Sequence, residues 1–136
     1  PRVVIKKIIM IKNYIIIHSI GKDDKLGLRI NKEFFIHNFH NNKINSDKLV
    51  FEISKFLKLH KAILDEKFTV IVNQGPGSFS GIRVSIAIAK GLQISKKVSL
   101  YAYNNADLRV FDKESIEKLI NENLIEKKLI NPIYLS

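Results

Sequence analysis

The chain has no cysteine, no tryptophan and one methionine in 136 residues. Without cysteine there is no disulfide framework, no thiolate metal site, no iron–sulfur cluster and no cysteine nucleophile. Four histidines (His18, His37, His40 and His60) are too few for a histidine-rich metal centre. Apolar runs are short: Lys6, Lys7 and Lys12 interrupt the N-terminal one, and none reaches the ~18–20 residues of a membrane-spanning helix. Residues 1–9 read like a signal-peptide stub without a small-residue cleavage site. The expectation is therefore an upstream extension, with Met10 the more natural start, and a cytoplasmic protein without a membrane partner.

Acidic residues are also in deficit, 13 against 23 basic, for a formal charge of +10. Such a surface suits a polyanionic partner. Composition supplies a plainer cause. Nineteen of the basic residues are Lys, and the chain has 23 Ile, 12 Asn and only 5 Ala. Lys, Ile and Asn have A/T-rich codons, and the lysines are scattered along the sequence rather than blocked. Charge alone therefore assigns no nucleic-acid site.

What is present is core-forming material. Hydrophobic residues make up 46%, enough for one packed domain and too much for a disordered chain. Residues 13–20 (NYIIIHSI) predict a buried strand, and 21–25 a turn. Residues 26–30 and 33–39 predict two strands joined at Asn31-Lys32 as a hairpin. A helix follows over 46–60, capped by Asn45 or Ser46, with Leu49, Ile53, Phe56, Leu57 and His60 on one face. Residues 68–72 predict a strand, 81–94 a helix and 98–103 another strand. A charged amphipathic helix is predicted over 112–128, with Ile116, Leu119, Ile120, Leu124 and Ile125 apolar. A short strand, Pro132–Leu135, is expected to close the chain. A hairpin meander followed by alternating strands and helices predicts an α/β protein with a mixed sheet.

The most informative segment is Asn73–Arg83, with Gly75, Pro76, Gly77, Ser78, Phe79, Ser80 and Gly81 at its centre. It joins a strand to a helix, where glycines allow close backbone approach and Ser78 or Ser80 can cap. A helix N-terminus attracts anions, so a tight junction and an anion site both fit. No Gly-Lys-Ser/Thr follows, so this is not a P-loop. Phe79, not serine, lies midway between Gly77 and Gly81, which excludes a nucleophile elbow. Ser80 stands where the third glycine of G-x-G-x-x-G would be.

The stretch from Gly75 to Leu92, GPGSFSGIRVSIAIAKGL, resembles the signature of the bacterial TsaB (YeaZ) family, G-P-G-S-F-T-G-L-R-x-G-x-x-x-A-K-G-L. Ser80 replaces Thr, Ile82 replaces Leu and Ser85 replaces Gly. The element order over 13–72 and the ending Asn-Pro-Ile-Tyr-Leu are also similar to the family. The resemblance implies an actin-like ATPase (ribonuclease H-like) lobe. It also implies a catalytically silent subunit that pairs with the transferase TsaD, joined by the ATPase TsaE, in making threonylcarbamoyladenosine at position 37 of tRNA. Two departures stand out. The family's first strand usually ends Asp-Thr-Ser, and here it ends His18-Ser19-Ile20; neutral imidazole cannot replace a carboxylate toward a hard cation. The family also has two similar lobes in a longer chain. The expected organisation is then an extension or strand start at 1–12, a lobe over 13–103, and a remnant of the second lobe over 104–136.

From this follow the expected sites. No residue is assigned to catalysis or metal binding. The loop Gly75–Gly81 is a possible anion site. The resemblance implies that Leu49, Ile53, Ile82, Arg83, Ser85, Ile86, Ala87, Ala89 and Lys90, on the helices 46–60 and 81–94, form a subunit interface, with a homodimer when the chain is alone. A nucleotide with Mg²⁺ is expected only at the level of the complex, and tRNA only indirectly through it. The rival readings are a minimal hydrolase or phosphotransferase using the Gly loop, and a basic RNA-binding domain. His37-x-x-His40 places its imidazoles on opposite faces of a strand, which argues against a shared ion. Asp23-Asp24 reads as a turn pair bonding its own backbone.

Overall fold

Strand-forming and helix-forming segments alternate through the described part of the chain, which in this computed structural model comprises residues 10–20, 23–41, 46–76 and 80–127. The strands are β1 (Asn13–His18), β2 (Asp23–Ile30), β3 (Glu33–His40), β4 (Phe68–Asn73), β5 (Ser99–Tyr103) and β6 (Ile125–Glu126). The helices are α1 (Ser46–Leu59), α2 (Ser80–Lys96) and α3 (Lys113–Asn121), with one 3-10 turn at Asn105–Asp107. The strands form one mixed sheet in the order β3-β2-β1-β4-β5-β6. β1, β4 and β5 are parallel, and β2, β3 and β6 are antiparallel to their neighbours.

The sequence explains the layering. β1 and β4 are nearly continuous apolar runs because both their faces are covered. Ile15, Ile17, Phe68, Val70 and Val72 pack beneath α1 and α2. Tyr14, Ile16 and Ile71 face the other way, against Ile116, Leu119 and Ile120 of α3. Gly27 leaves room on this second face: a Cβ there would stand 2.8 Å from Cγ2 of the buried Ile16. Asp112 caps α3, its Oδ1 accepting from the Ser115 N–H at 2.7 Å.

The Asn31-Lys32 hairpin is as expected. Both residues have positive φ (51° and 70°), as a two-residue turn between right-twisted strands requires. Three expectations change. Strand β1 ends at His18, two residues early. Of the expected turn 21–25, residues 23–25 are strand, because β2 already begins at Asp23 and pairs it with His40, and residues 21 and 22 lie outside the described residues. The helix expected over 112–128 stops at Asn121. Asn123 takes φ 56°, and Ile125 then pairs with Tyr103 at the edge of β5. Ile125 is thus buried by the sheet and not by a helix face, while Leu124 stays exposed.

Residues 104–127, expected as a second-lobe remnant, pack on the same sheet as 13–103: β6 extends it and α3 covers its second face. The expected closing strand Pro132–Leu135 and the segment 1–9 lie outside the described residues. Within them, no helix is long and apolar enough to cross a membrane.

Candidate functional site

Because β1, β4 and β5 run parallel, their C-terminal ends open on one edge of the sheet. In open α/β sheets this edge is the usual place for a ligand. It carries His18-Ser19 at the end of β1, Asn73-Gln74-Gly75-Pro76 at the end of β4 and Tyr103-Asn104-Asn105 at the end of β5. The antiparallel partners add Asp24 and Asn41.

The junction that follows β4 is fixed by amides. Gly75 has φ 99°, a conformation that needs glycine, and the Gly75–Pro76 peptide is cis. The Gly75 N–H donates to Asn73 Oδ1 at 2.9 Å, and Asn73 Nδ2 donates to Asn105 Oδ1 at 3.2 Å. Gln74 Nε2 donates to Asn104 Oδ1 at 2.9 Å. The Asn105 N–H closes the ring onto the Gly75 carbonyl at 2.6 Å. Asn104 and Asn105 therefore clamp the start of the loop to β5. Of the expected loop site, Gly77, Ser78 and Phe79 lie outside the described residues. Ser80 is the exposed first residue of α2, and Gly81 is buried behind it.

His18 stands at the end of β1. Its Nδ1 shares a 2.6 Å hydrogen bond with the Tyr103 hydroxyl, and its ring packs 5.5 Å from that of Phe111. Burial, helped by Lys25 and opposed by Asp24, pushes the imidazole pKa down to about 4. Burial raises the Tyr103 phenol above its ordinary range. The pair is neutral at physiological pH. Asp24 is buried and its oxygens are occupied: Oδ1 accepts from the Ile20 N–H at 2.9 Å, and Oδ2 accepts from Ser19 Oγ at 2.8 Å and Asn41 Nδ2 at 3.4 Å. It tethers β1, β2 and the residue after β3. Its bond to Ile20 is the local backbone bonding expected of Asp23-Asp24, made from a strand and not from a turn.

The other histidines bridge elements. His37 Nε2 meets Glu52 Oε2 of α1 at 2.7 Å, and His40 pairs with Asp23 at 3.0 Å, so the two diverge. His60 stacks on Phe35 at 3.8 Å between centroids and meets Phe56 edge-on. Among the described residues no group of three or more His, Asp or Glu side chains could hold a metal ion.

The expected interface residues separate by burial. Leu49, Ile53, Ile82, Ile86 and Ala89 belong to the core beneath α1 and α2, and Ser85 is buried with its Oγ donating to the Ile82 carbonyl at 3.0 Å. Arg83 and Ala87 are exposed, and Lys90 is half-buried. Between them α1 and α2 leave an apolar groove of about 570 Å³ with Val50, Leu57, Ile63, Ile88 and Leu92 in its walls. Phe51 of α1 is 59% exposed. Sequence reasoning missed the amide clamp and the His18–Tyr103 pair. The only available signal was a polar residue placed just past each buried strand.

No profile of a known protein family matches the chain. It is 28% identical over 109 residues to a tRNA threonylcarbamoyladenosine biosynthesis protein TsaB from Buchnera aphidicola subsp. Schizaphis graminum; the match takes in 74% of this chain and 52% of that protein. Its fold is similar to that of YeaZ from Pseudomonas aeruginosa, with TM-score 0.64, 15% identity, 72% of this chain and 46% of that one. A further solved structure, described as an uncharacterized protein with similarity to peptidase YEAZ from Pseudomonas aeruginosa, gives TM-score 0.65 at 15% identity and covers 72% of this chain and 45% of that one. The chain thus spans about half the length of these relatives. The mixed sheet with its helices is consistent with one lobe of an actin-like fold. Taken together, the sequence match and the fold matches support a TsaB/YeaZ-family protein.

Proposed function

We propose that the chain is a non-catalytic scaffold subunit of the machinery that makes threonylcarbamoyladenosine in tRNA, docking and stabilising a TsaD-like transferase in the cytoplasm. The observation that carries this reading is the similarity to TsaB over 109 residues. The chemistry at the sheet edge supports it. Where a phosphoryl-transfer site would want a free carboxylate, β1 ends in a neutral imidazole bonded to Tyr103, and the nearby Asp24 is engaged by three donors. Nucleotide, Mg²⁺ and a TsaE-like ATPase belong to the assembled complex in this reading, and the chain pairs with itself when alone.

The docking face is the outer surface of α1 and α2, where Phe51, Arg83 and Ala87 are exposed. The buried members of the expected interface make poor probes, because charging Ala89 would destroy the core. Ala87→Glu and Phe51→Glu change the surface alone. Both are expected to keep the melting temperature within a few degrees and to lose co-purification with the transferase. Co-purification of both variants at the level of the unaltered chain would refute the docking face. ATP hydrolysis by the isolated chain would refute the non-catalytic role.

A further inference from the structure

The lysines that look scattered in the sequence are collected by the fold. At the sheet edge opposite the Gly75–Gly81 loop, β1, β4 and β5 begin, α1 and α2 end, and the β2–β3 turn folds back. Lys12 precedes β1, Lys32 sits in the turn and Lys67 precedes β4. Lys58 and Lys61 finish α1, and Lys96 and Lys97 finish α2. Lys61 and Lys67 share a recess with Asn31; Lys58 and Lys96 line the adjoining groove, and Ala62 and Ile63 border both. All seven lysines are exposed, and none has a side-chain ion pair among the described residues.

Among the described residues, the acids in the segments that meet at this end are Glu33, Asp65 and Glu66. Asp65 Oδ1 is turned onto the Lys67 backbone N–H at 2.9 Å. Among these described residues, seven lysines against three acids leave an excess of four charges. The C-termini of α1 and α2 absorb about one of these through their dipoles. The described residues of α3 and β6, with Lys127 after them, have no such excess: Lys113, Lys118 and Lys127 stand against Glu114, Glu117, Glu122 and Glu126.

Codon bias does not account for where these lysines stand. Lys32, Lys61 and Lys97 have φ of 70°, 54° and 59°. Glycine and asparagine hold this left-handed conformation with less strain than lysine does. Asparagine is as A/T-rich in its codons, is abundant in this chain, and occupies the other two such non-glycine positions, Asn31 and Asn123. Lysine at all three positions is best explained by its charge.

We propose that this lysine end binds the phosphate backbone of RNA, so that the chain itself holds RNA within its assembly. The groups are lysines, with no arginine fork and no exposed aromatic ring among them, which suits backbone contact and not base reading. RNA as the polyanion rests on the proposed role in tRNA modification.

The test measures binding of the full chain to an unmodified tRNA transcript across a salt series. The variant Lys32→Asn/Lys61→Asn/Lys97→Asn removes charge with a residue suited to the same backbone, so its melting temperature should hold or rise. Each phosphate contact adds about 0.7–0.9 to the slope of log affinity against log salt. The triple variant should lose at least tenfold in affinity at low salt and flatten the slope by about two. The control Lys48→Asn/Lys113→Asn/Lys118→Asn, equal in charge change and placed elsewhere, should bind within twofold of the unaltered chain. Equal losses in both triple variants would overturn the proposal. Absence of tRNA binding, with retention on phosphatidylglycerol vesicles instead, would overturn it in favour of an anionic membrane surface. The modification role is scored separately, by threonylcarbamoyladenosine levels in cells that depend on this chain. Its failure alongside lysine-dependent tRNA binding would remove that role and leave the RNA contact standing.

Discussion

His18 shows how one residue's chemistry is set by where its strand ends. In the unfolded chain its pKa is near 6.5, and in the fold it is held to about 4. Between these values the unfolded state binds the extra proton, so acidification favours unfolding. The stabilising effect of a neutral His18 is complete above about pH 7 and falls progressively as the pH drops towards 4. By pH 5 the loss should be about 2 kcal/mol. Urea denaturation at pH 7.5 and pH 5 measures it, and His18→Phe should flatten that difference. An equally steep pH dependence in His18→Phe would show that the proton goes elsewhere.

The elements follow their local chemistry, with strain accepted at a few corners. Lys32 in the β2–β3 turn adopts φ 70°, where glycine is the favoured residue of a two-residue hairpin. Lys32→Gly should therefore stabilise the protein by about 0.5–1 kcal/mol. A thermal melt detects this as a rise of a few degrees, and a fall would mean that the side chain contributes packing of its own. The element least legible in the sequence was the one over 112–128. Its apolar spacing continues through Leu124 and Ile125, as a helix would require. The free edge of β5 competes for the same residues: it satisfies the backbone of Ile125 and Glu126 and buries the Ile125 side chain. A pairing partner distant in sequence leaves no trace in local periodicity.

The whole molecule depends on its last third. Tyr14, Ile16 and Ile71, from strands early and central in the chain, are covered by Ile116, Leu119 and Ile120 of α3. Ending the chain after Asn104 would bare that face. The truncated protein should lose its cooperative thermal transition and aggregate, as read by circular dichroism and light scattering. Ile116→Ala, a milder lesion in the full chain, should cost about 2–5 kcal/mol. A truncated chain that still melted cooperatively at the same temperature would show that residues 105–136 are an appendage.

Sequence alone determined most of the elements, though not the strand at Ile125–Glu126, and the family resemblance. Continuous apolar runs such as NYIIIHSI and FTVIV predict buried strands, Asn31-Lys32 between two strand patterns predicts a tight reversal, and the spacing of Leu49, Ile53, Phe56 and Leu57 sets the inner face of α1. These are short-range consequences of side-chain period and backbone preference. The run GPGSFSGIRVSIAIAKGL carried the resemblance by residue identity. Tertiary structure decided what those residues are free to do. It buried Ile82, Ser85, Ile86 and Ala89, which had been expected at a subunit interface, and left Arg83 and Ala87 outside. It joined His18 to Tyr103 across 85 positions and clamped Gly75 with Asn105. It also gathered lysines from positions 12 to 97 onto one end. Burial and charge density depend on which distant segments become neighbours, and sheet order, not local sequence, makes them so.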